Sequence, residues 1–186
     1  LDTPRISEAM LNRGVYIRRL KTQLLPDLPE KYFQIVPVDL VSRQAQLYED
    51  ARHSLALWLQ GMDSKRFQRN LSTYFAKRQT LLQICSCPAE IDPLFVDTPA
   101  KLLVLDTLLD DIVTLKNRKV VIWTYYRRSL DEVAIRYEGY GLVRVDGTTN
   151  GAKRREAIER FQGDLEVKIF LGNPAVPQVL EQAGIR

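Results

Sequence analysis

The stretch VDGTTNGAKRREAIERFQ, residues 145–162, sets a turn of glycine, threonine and asparagine between an apolar run and a basic segment with helical spacing. The apolar run is Leu142-Val-Arg-Val145, a short strand, and the segment from Gly151 onward predicts a helix. The same alternation continues on both sides. Upstream, Lys119-Val-Val-Ile-Trp-Thr124 is a continuous hydrophobic run of the kind buried on both faces of a parallel sheet, and a helix is predicted after it over residues 129–137. Downstream, Val167-Lys-Ile-Phe-Leu171 is a third strand. Strand, helix, strand, helix, strand predicts an α/β fold, a parallel sheet with flanking helices joined by right-handed crossovers.

Residues 101–115 precede this unit with a helical stripe of Leu102, Leu105, Leu108, Leu109, Ile112 and Leu115. Residues 90–99 read as a loop because Pro93 and Pro99 interrupt them. Before the loop, residues 42–59 predict a helix with Ser42 as N-cap, and residues 65–84 a second helix that Pro88 keeps from extending. In residues 1–40, Pro26, Pro29 and Pro37 prevent one long helix, and residues 32–36 are a strand candidate confined to an edge by Pro37. The organisation expected is a connecting arm over 1–41, a mainly helical insertion over 42–98 and a partial α/β unit over 99–186.

The chain has 186 residues, 45% of them hydrophobic, and a net charge of +4. It holds no apolar run of membrane-spanning length and no signal pattern, so no membrane partner is expected, and a cytoplasmic or nucleoid location follows, nuclear in a eukaryote. Cys85 and Cys87 are too close for a comfortable disulfide, and with His53 the only histidine they cannot complete a four-ligand zinc site. They are expected to be reduced core thiols, and no metal site is assigned. His53 has no nucleophile pattern near it, and no catalytic residue is assigned. Residues 112–130 carry Lys116, Arg118, Lys119, Arg127 and Arg128 without an acid, a local positive field that suits a polyanion.

In a parallel α/β sheet the loops leaving the carboxyl ends of the strands share one rim, where ligands bind. Loops 124–129, 146–151 and 172–177 meet there. The second should favour an anion through its backbone N–H groups and the helix that follows. Thr124, Arg127, Arg128, Gly147, Thr148, Thr149, Lys153 and Arg154 are therefore expected to bind phosphates. A nucleotide loop needs four residues between its first glycine and a Gly-Lys-Ser/Thr end. Here three residues separate Gly147 from Gly151, and Gly-Lys-Ser/Thr occurs nowhere in the chain. The rim is thus a poor ATP cradle and a better clamp for a nucleic-acid backbone. Tyr125 and Tyr126 are candidates for base stacking or for the core margin.

Several phrases together resemble the Swi/Snf-related branch of the superfamily-two helicase-like ATPases, from the end of lobe one into lobe two. They are Ile17-Arg-Arg-Leu-Lys21, Leu28-Pro-Glu-Lys31, Leu82-Gln-Ile-Cys85 before Pro88, Ala100-Lys-Leu102, Val120-Val-Ile-Trp-Thr124 as motif four, and Asp146-Gly-Thr-Thr149 with Lys153-Arg-Arg155 and Phe161. They run in order across residues 13–171. The resemblance implies a C-terminal RecA-like lobe, incomplete, from an ATP-driven translocase on double-stranded DNA, with motif four and the Asp-Gly-Thr loop gripping one strand. It implies ATP and magnesium in the complete parent protein, none bound by this chain alone, and a RecA-like lobe one as partner. The glycine-rich motif five is matched only by Gly172-Asn-Pro-Ala-Val-Pro177, and the arginine-finger motif six is unmatched. From the thin sheet edge, possible self-association and a short tail helix over residues 176–182 are expected. A free-standing, non-catalytic nucleic-acid-binding or interaction module is the alternative.

Overall fold

A computed structural model describes residues 3–14 and 31–173. The chain divides into two units, Leu1–Pro37 and Val38–Arg186. In the first, helix α1 spans Thr3–Asn12, and residues 31–37 have no regular structure. The strand expected over residues 32–36 does not form. Tyr32, Phe33 and Ile35 are exposed, and a strand needs a paired neighbour to satisfy its backbone. Most of the family phrases over residues 17–31, and the expected tail helix, lie outside the described residues.

The second unit begins with helices α2 (Ser42–Leu59), α3 (Ser64–Arg69) and α4 (Leu71–Ile84). Ser42 is the first helical residue of α2 and not its N-cap, which is Val41, extended and without a side-chain capping bond. The helix expected over residues 65–84 breaks at Asn70. The side-chain Nδ2 of Asn70 donates to Arg66 O at 2.8 Å, a bond back to the preceding turn that competes with regular continuation. Asp63 starts α3 by accepting from Arg66 N at 2.8 Å.

Helix α2 packs on α4, and one buried amide ties both to the next layer. Gln44 Nε2 donates to Ile84 O at 2.7 Å, and its Oε1 accepts from Ala100 N at 3.0 Å. Ile84 ends α4 and Ala100 opens helix α5 (Ala100–Leu109). A helix leaves its last carbonyls and first N–H groups without intrahelical partners. Gln44 satisfies one of each.

Helix α5 runs into a wider, π-type turn over Asp110–Leu115. Then follow β1 (Val120–Trp123), α6 (Arg127–Arg136), β2 (Leu142–Val145), α7 (Gly151–Gly163) and β3 (Ile169–Gly172). The sheet is parallel, in the order β1-β3-β2, with Ile169 opposite both Val120 and Leu142. Helix α6 starts at Arg127, two residues earlier than expected, and β3 starts at Ile169, two residues later.

The strand period of two sorts side chains onto opposite faces. Phe170, Val143 and Val145 pack against Ala157, Ile158 and Phe161 of α7. Ile169, Leu171 and Val120 face Leu109 of α5 and Leu130 and Val133 of α6. Every residue of β3 is buried, as a central parallel strand covered on both faces must be.

Candidate nucleic-acid interface

The three strands end together, and Asn173 holds their loops at one rim. Thr124 N donates to Gly172 O at 3.1 Å, and Asn173 N donates to Val145 O at 3.3 Å. The side chain of Asn173 donates to Tyr125 O at 3.0 Å. One residue therefore links the loops after β1 and β2. Asn173 was not among the expected site residues, although it falls in the rim loop 172–177 and in the phrase matched to motif five. Arg127, Asp146, Gly147, Thr148 and Asn173 line a cleft of about 140 Å³ with Leu130 at its side. The rim rule thus brings Arg127 to the Asp-Gly-Thr loop.

The donors of Thr148 and Thr149 are committed within the loop itself. Asp146 Oδ1 accepts from Thr148 N at 2.9 Å and from Thr148 Oγ1 at 2.6 Å. Thr149 N donates to Asp146 O at 3.1 Å, and Thr149 Oγ1 accepts from Asp146 N at 3.0 Å. Asn150 caps α7 by accepting from Lys153 N at 2.9 Å. The N–H groups of Thr148 and Thr149, expected to cradle a phosphate, are taken up by a compact Asx turn, and in the first turn of α7 the N–H of Lys153 is taken up by Asn150.

Asp146 is held further by Arg144, whose guanidinium also reaches Asp131 at 2.7 Å. The Thr148 hydroxyl bond, and after it the Thr148 N–H and Arg144, bring the Asp146 carboxyl down to about 2. A carboxylate whose folded pKa is depressed adds stability that is complete above its unfolded value and is lost as pH falls through the folded one. Part of the acid destabilisation between about pH 4 and 2 should therefore trace to Asp146. Asp146→Asn is expected to lower the melting temperature at neutral pH and to flatten its fall over that range. Parallel pH profiles for variant and parent would argue against this assignment.

The remaining site residues separate by position and partner. Arg127 is exposed in the cleft and makes no ion pair among the described residues. Lys153 is exposed on the first turn of α7. Arg154 is half-buried and donates to Thr149 O at 3.3 Å, so it braces the loop. Arg128 pairs with Glu132 at 3.4 Å, beside Glu90 and Asp131. Thr124 is half-buried, with its backbone bonded to β3.

The positive field expected over residues 112–130 is not continuous. Lys116, Arg118 and Lys119 precede β1, at the amino edge of the sheet, whereas Arg127 and Arg128 follow it at the opposite rim. Lys116 pairs with Asp111 at 2.5 Å. Lys119 donates to Phe161 O, and to Asp164 O at 2.7 Å, which places a cation on the carboxyl end of α7.

Other candidates take structural places. Cys87 is buried, and burial pushes its thiol up to about 11; Cys85 is also a free thiol. His53 is exposed. Tyr125 is exposed at the rim, while the Tyr126 hydroxyl accepts from Gln79 Nε2 at 3.0 Å. Among the described residues no group of three or more His, Cys, Asp or Glu side chains could hold a metal ion.

No protein-family model matches the chain. Among curated proteins it is similar to a DNA repair and recombination protein RAD54-like of Drosophila persimilis, 30% identical over 191 residues, covering 83% of this chain and 23% of that protein. It is also similar to a SWI/SNF-related matrix-associated actin-dependent regulator of chromatin, subfamily A containing DEAD/H box 1, of Xenopus tropicalis. That match is 23% identical over 224 residues and covers 91% of this chain and 22% of the relative. The chain spans about a quarter of the length of these curated relatives. Of solved structures, the Sulfolobus solfataricus SWI2/SNF2 ATPase C-terminal domain superposes with a TM-score of 0.61 at 18% identity, over 73% of this chain and 60% of that one. The Sulfolobus solfataricus SWI2/SNF2 ATPase core in complex with dsDNA superposes with a TM-score of 0.66 at 19% identity, over 90% of this chain and 36% of that one. The structural likeness establishes a fold of the RecA-like C-terminal type.

Proposed function

We propose that this chain, a Swi/Snf-related helicase-like ATPase lobe of the C-terminal RecA-like type, grips the backbone of double-stranded DNA at the carboxyl rim of its sheet. The observation that carries the reading is the single cleft in which Arg127 meets Gly147, Thr148 and Asn173. Arg127 supplies a planar fork of donors matched to a phosphate, and Lys153, exposed on the first turn of α7, a second point charge. The loop acts as a stiff wall that sets the spacing of those cations, because Asp146 holds its threonines. Support comes also from a structural neighbour, the Sulfolobus solfataricus SWI2/SNF2 ATPase core in complex with double-stranded DNA.

The parent protein is in this reading an ATP-driven translocase found with DNA in the nucleus or nucleoid. No helix of the described residues is long and apolar enough to cross a membrane. ATP with magnesium supplies the energy in the family, but the rim does not fit them. The loop lacks the Gly-Lys-Ser/Thr end, and the Asp146 carboxylate is taken up by Thr148 and Arg144. ATP and magnesium are therefore assigned to a partner RecA-like lobe, with residues 1–41 as connecting arm, 42–98 as insertion and 99–186 as lobe two. The edges of β1 and β2 have no further strand among the described residues, which favours self-association of the isolated chain.

The test is a titration of a labelled duplex over a salt series, with ATP turnover followed in parallel. Binding should be indifferent to sequence and weaken with salt, and Arg127→Ala should reduce the log–log slope by about 0.9, one phosphate contact. ATP turnover should stay at background with or without DNA. Salt-independent binding, an unchanged slope in the variant, or DNA-stimulated turnover by this chain would each contradict the proposal.

A further inference from the structure

We infer that helices α3 and α4 carry a second contact for the DNA backbone, continuous with the rim. The inference rests on the DNA-binding reading above and extends it to the helical layer.

Residues 64–89 contain Lys65, Arg66, Arg69, Lys77 and Arg78 and no Asp or Glu. This stretch holds a charge of +5 against +4 for the whole chain, so the rest sums to −1. Residues 112–130 carry the same charge, but β1 divides their cations between the two edges of the sheet. Five arginines elsewhere in the fold pair with carboxylates: Arg43, Arg52, Arg128, Arg136 and Arg144. None of the five cations of α3 and α4 has such a partner among the described residues. The acid just before them, Asp63, is used as the cap of α3. Lys65, Arg66, Arg69 and Arg78 are exposed, and Lys77 is half-buried with its ammonium on the Ser54 hydroxyl at 3.4 Å.

Like charges gathered on neighbouring helical turns repel one another, and an opposite charge relieves that cost. The place of the strip shows which opposite charge is at hand. Gln79 of α4 bonds the hydroxyl of Tyr126, the residue directly before Arg127, so the turn of α4 that carries Arg78 is tied to the loop after β1. At about 1.5 Å per residue, Leu71 is about 12 Å further along α4, and α3 continues beyond it. A duplex has a phosphate every 3.4 Å or so along each strand. One held at Arg127 and extended along α4 would present several phosphates to the strip. An acidic protein would match the charge as well, but continuity with the rim favours the same DNA.

The experiment is the salt titration with a duplex of about three helical turns, on the parent chain, Arg127→Ala, and a triple variant carrying Lys65→Gln, Arg66→Gln and Arg78→Gln. Arg69 stays because its Nε bonds Lys65 O at 3.4 Å at the end of α3. The triple variant should lower the slope by about 2.7, some 0.9 for each phosphate contact, with Arg127→Ala lowering it separately. Arg66→Lys with Arg78→Lys should keep the slope, and melting curves confirm that every variant is folded. A folded triple variant with the parent's slope overturns the inference while leaving the rim reading intact; this is also what an acidic protein partner predicts. A reduced slope in the triple variant with none in Arg127→Ala supports the strip and refutes the rim. Absence of salt-dependent binding by the parent chain refutes both.

Discussion

Gly141→Ala is expected to cost about 3 kcal/mol or more, enough to remove cooperative folding from the α/β unit if its total stability is near the low end of about 5–15 kcal/mol. Gly141 sits at φ 67 and ψ 94, a conformation that side chains disfavour. A Cβ there would lie 1.9 Å from Glu166 O and 3.2 Å from Val167 Cα. Both are backbone atoms, so no rotamer change clears them. The close approach is required because Gly141 O accepts from Lys168 N at 2.9 Å and from Ile169 N at 3.1 Å. That pair of bonds sets the start of β3 beside the start of β2. Moving the two chains apart would shift the register that brings the Asp146 loop and Asn173 to one rim. Urea unfolding followed by circular dichroism checks the prediction, and a loss below about 1 kcal/mol would show that the corner can relax. The rim contribution to the salt slope should fall in the same variant.

Gln44→Met is expected to cost about 2–5 kcal/mol, through the two groups it orphans and not through lost volume. Methionine keeps the length of the side chain and its packing. It leaves Ile84 O and Ala100 N without the bonds at 2.7 and 3.0 Å, and both residues are almost fully buried. An unpartnered buried polar group costs about 1–3 kcal/mol. The effect on function should be selective. Gln44 joins α2, α4 and α5, so its loss loosens the helical layer against the sheet before it disturbs the rim. The contribution of α3 and α4 to DNA binding should weaken while the Arg127 contribution persists. A melting transition unchanged from the parent would mean that water or a local shift replaces both bonds.

Much of the architecture was legible because it depends on local pattern. The runs at Val120–Trp123, Leu142–Val145 and Ile169–Gly172 are apolar at a period a strand can bury, and the intervening segments alternate at a helical one. Right-handed parallel connection then follows from chain chirality, and with it the shared rim that brought Arg127 to Gly147 and Thr148. The family phrases added order along the chain, and the fold and relatives agree with them.

The fate of individual polar groups was not legible. Lys119 and Arg127 belong to one basic run, yet the strand between them sends one to the carboxyl end of α7 and the other to the rim. Thr148 and Thr149 looked like phosphate donors, but Asp146 takes them. Gln44 carried no signal in the helix predicted over residues 42–59, although it meets Ala100, a residue 56 positions away. Asn173 binds Tyr125 across 48 positions. The sequence by itself determined which segments become strands and helices and which faces they bury, because apolar periodicity acts over a few residues. Which cations stay free for a phosphate was decided only by the tertiary structure, because a hydrogen bond or ion pair forms between groups that meet in space, whatever their separation along the chain.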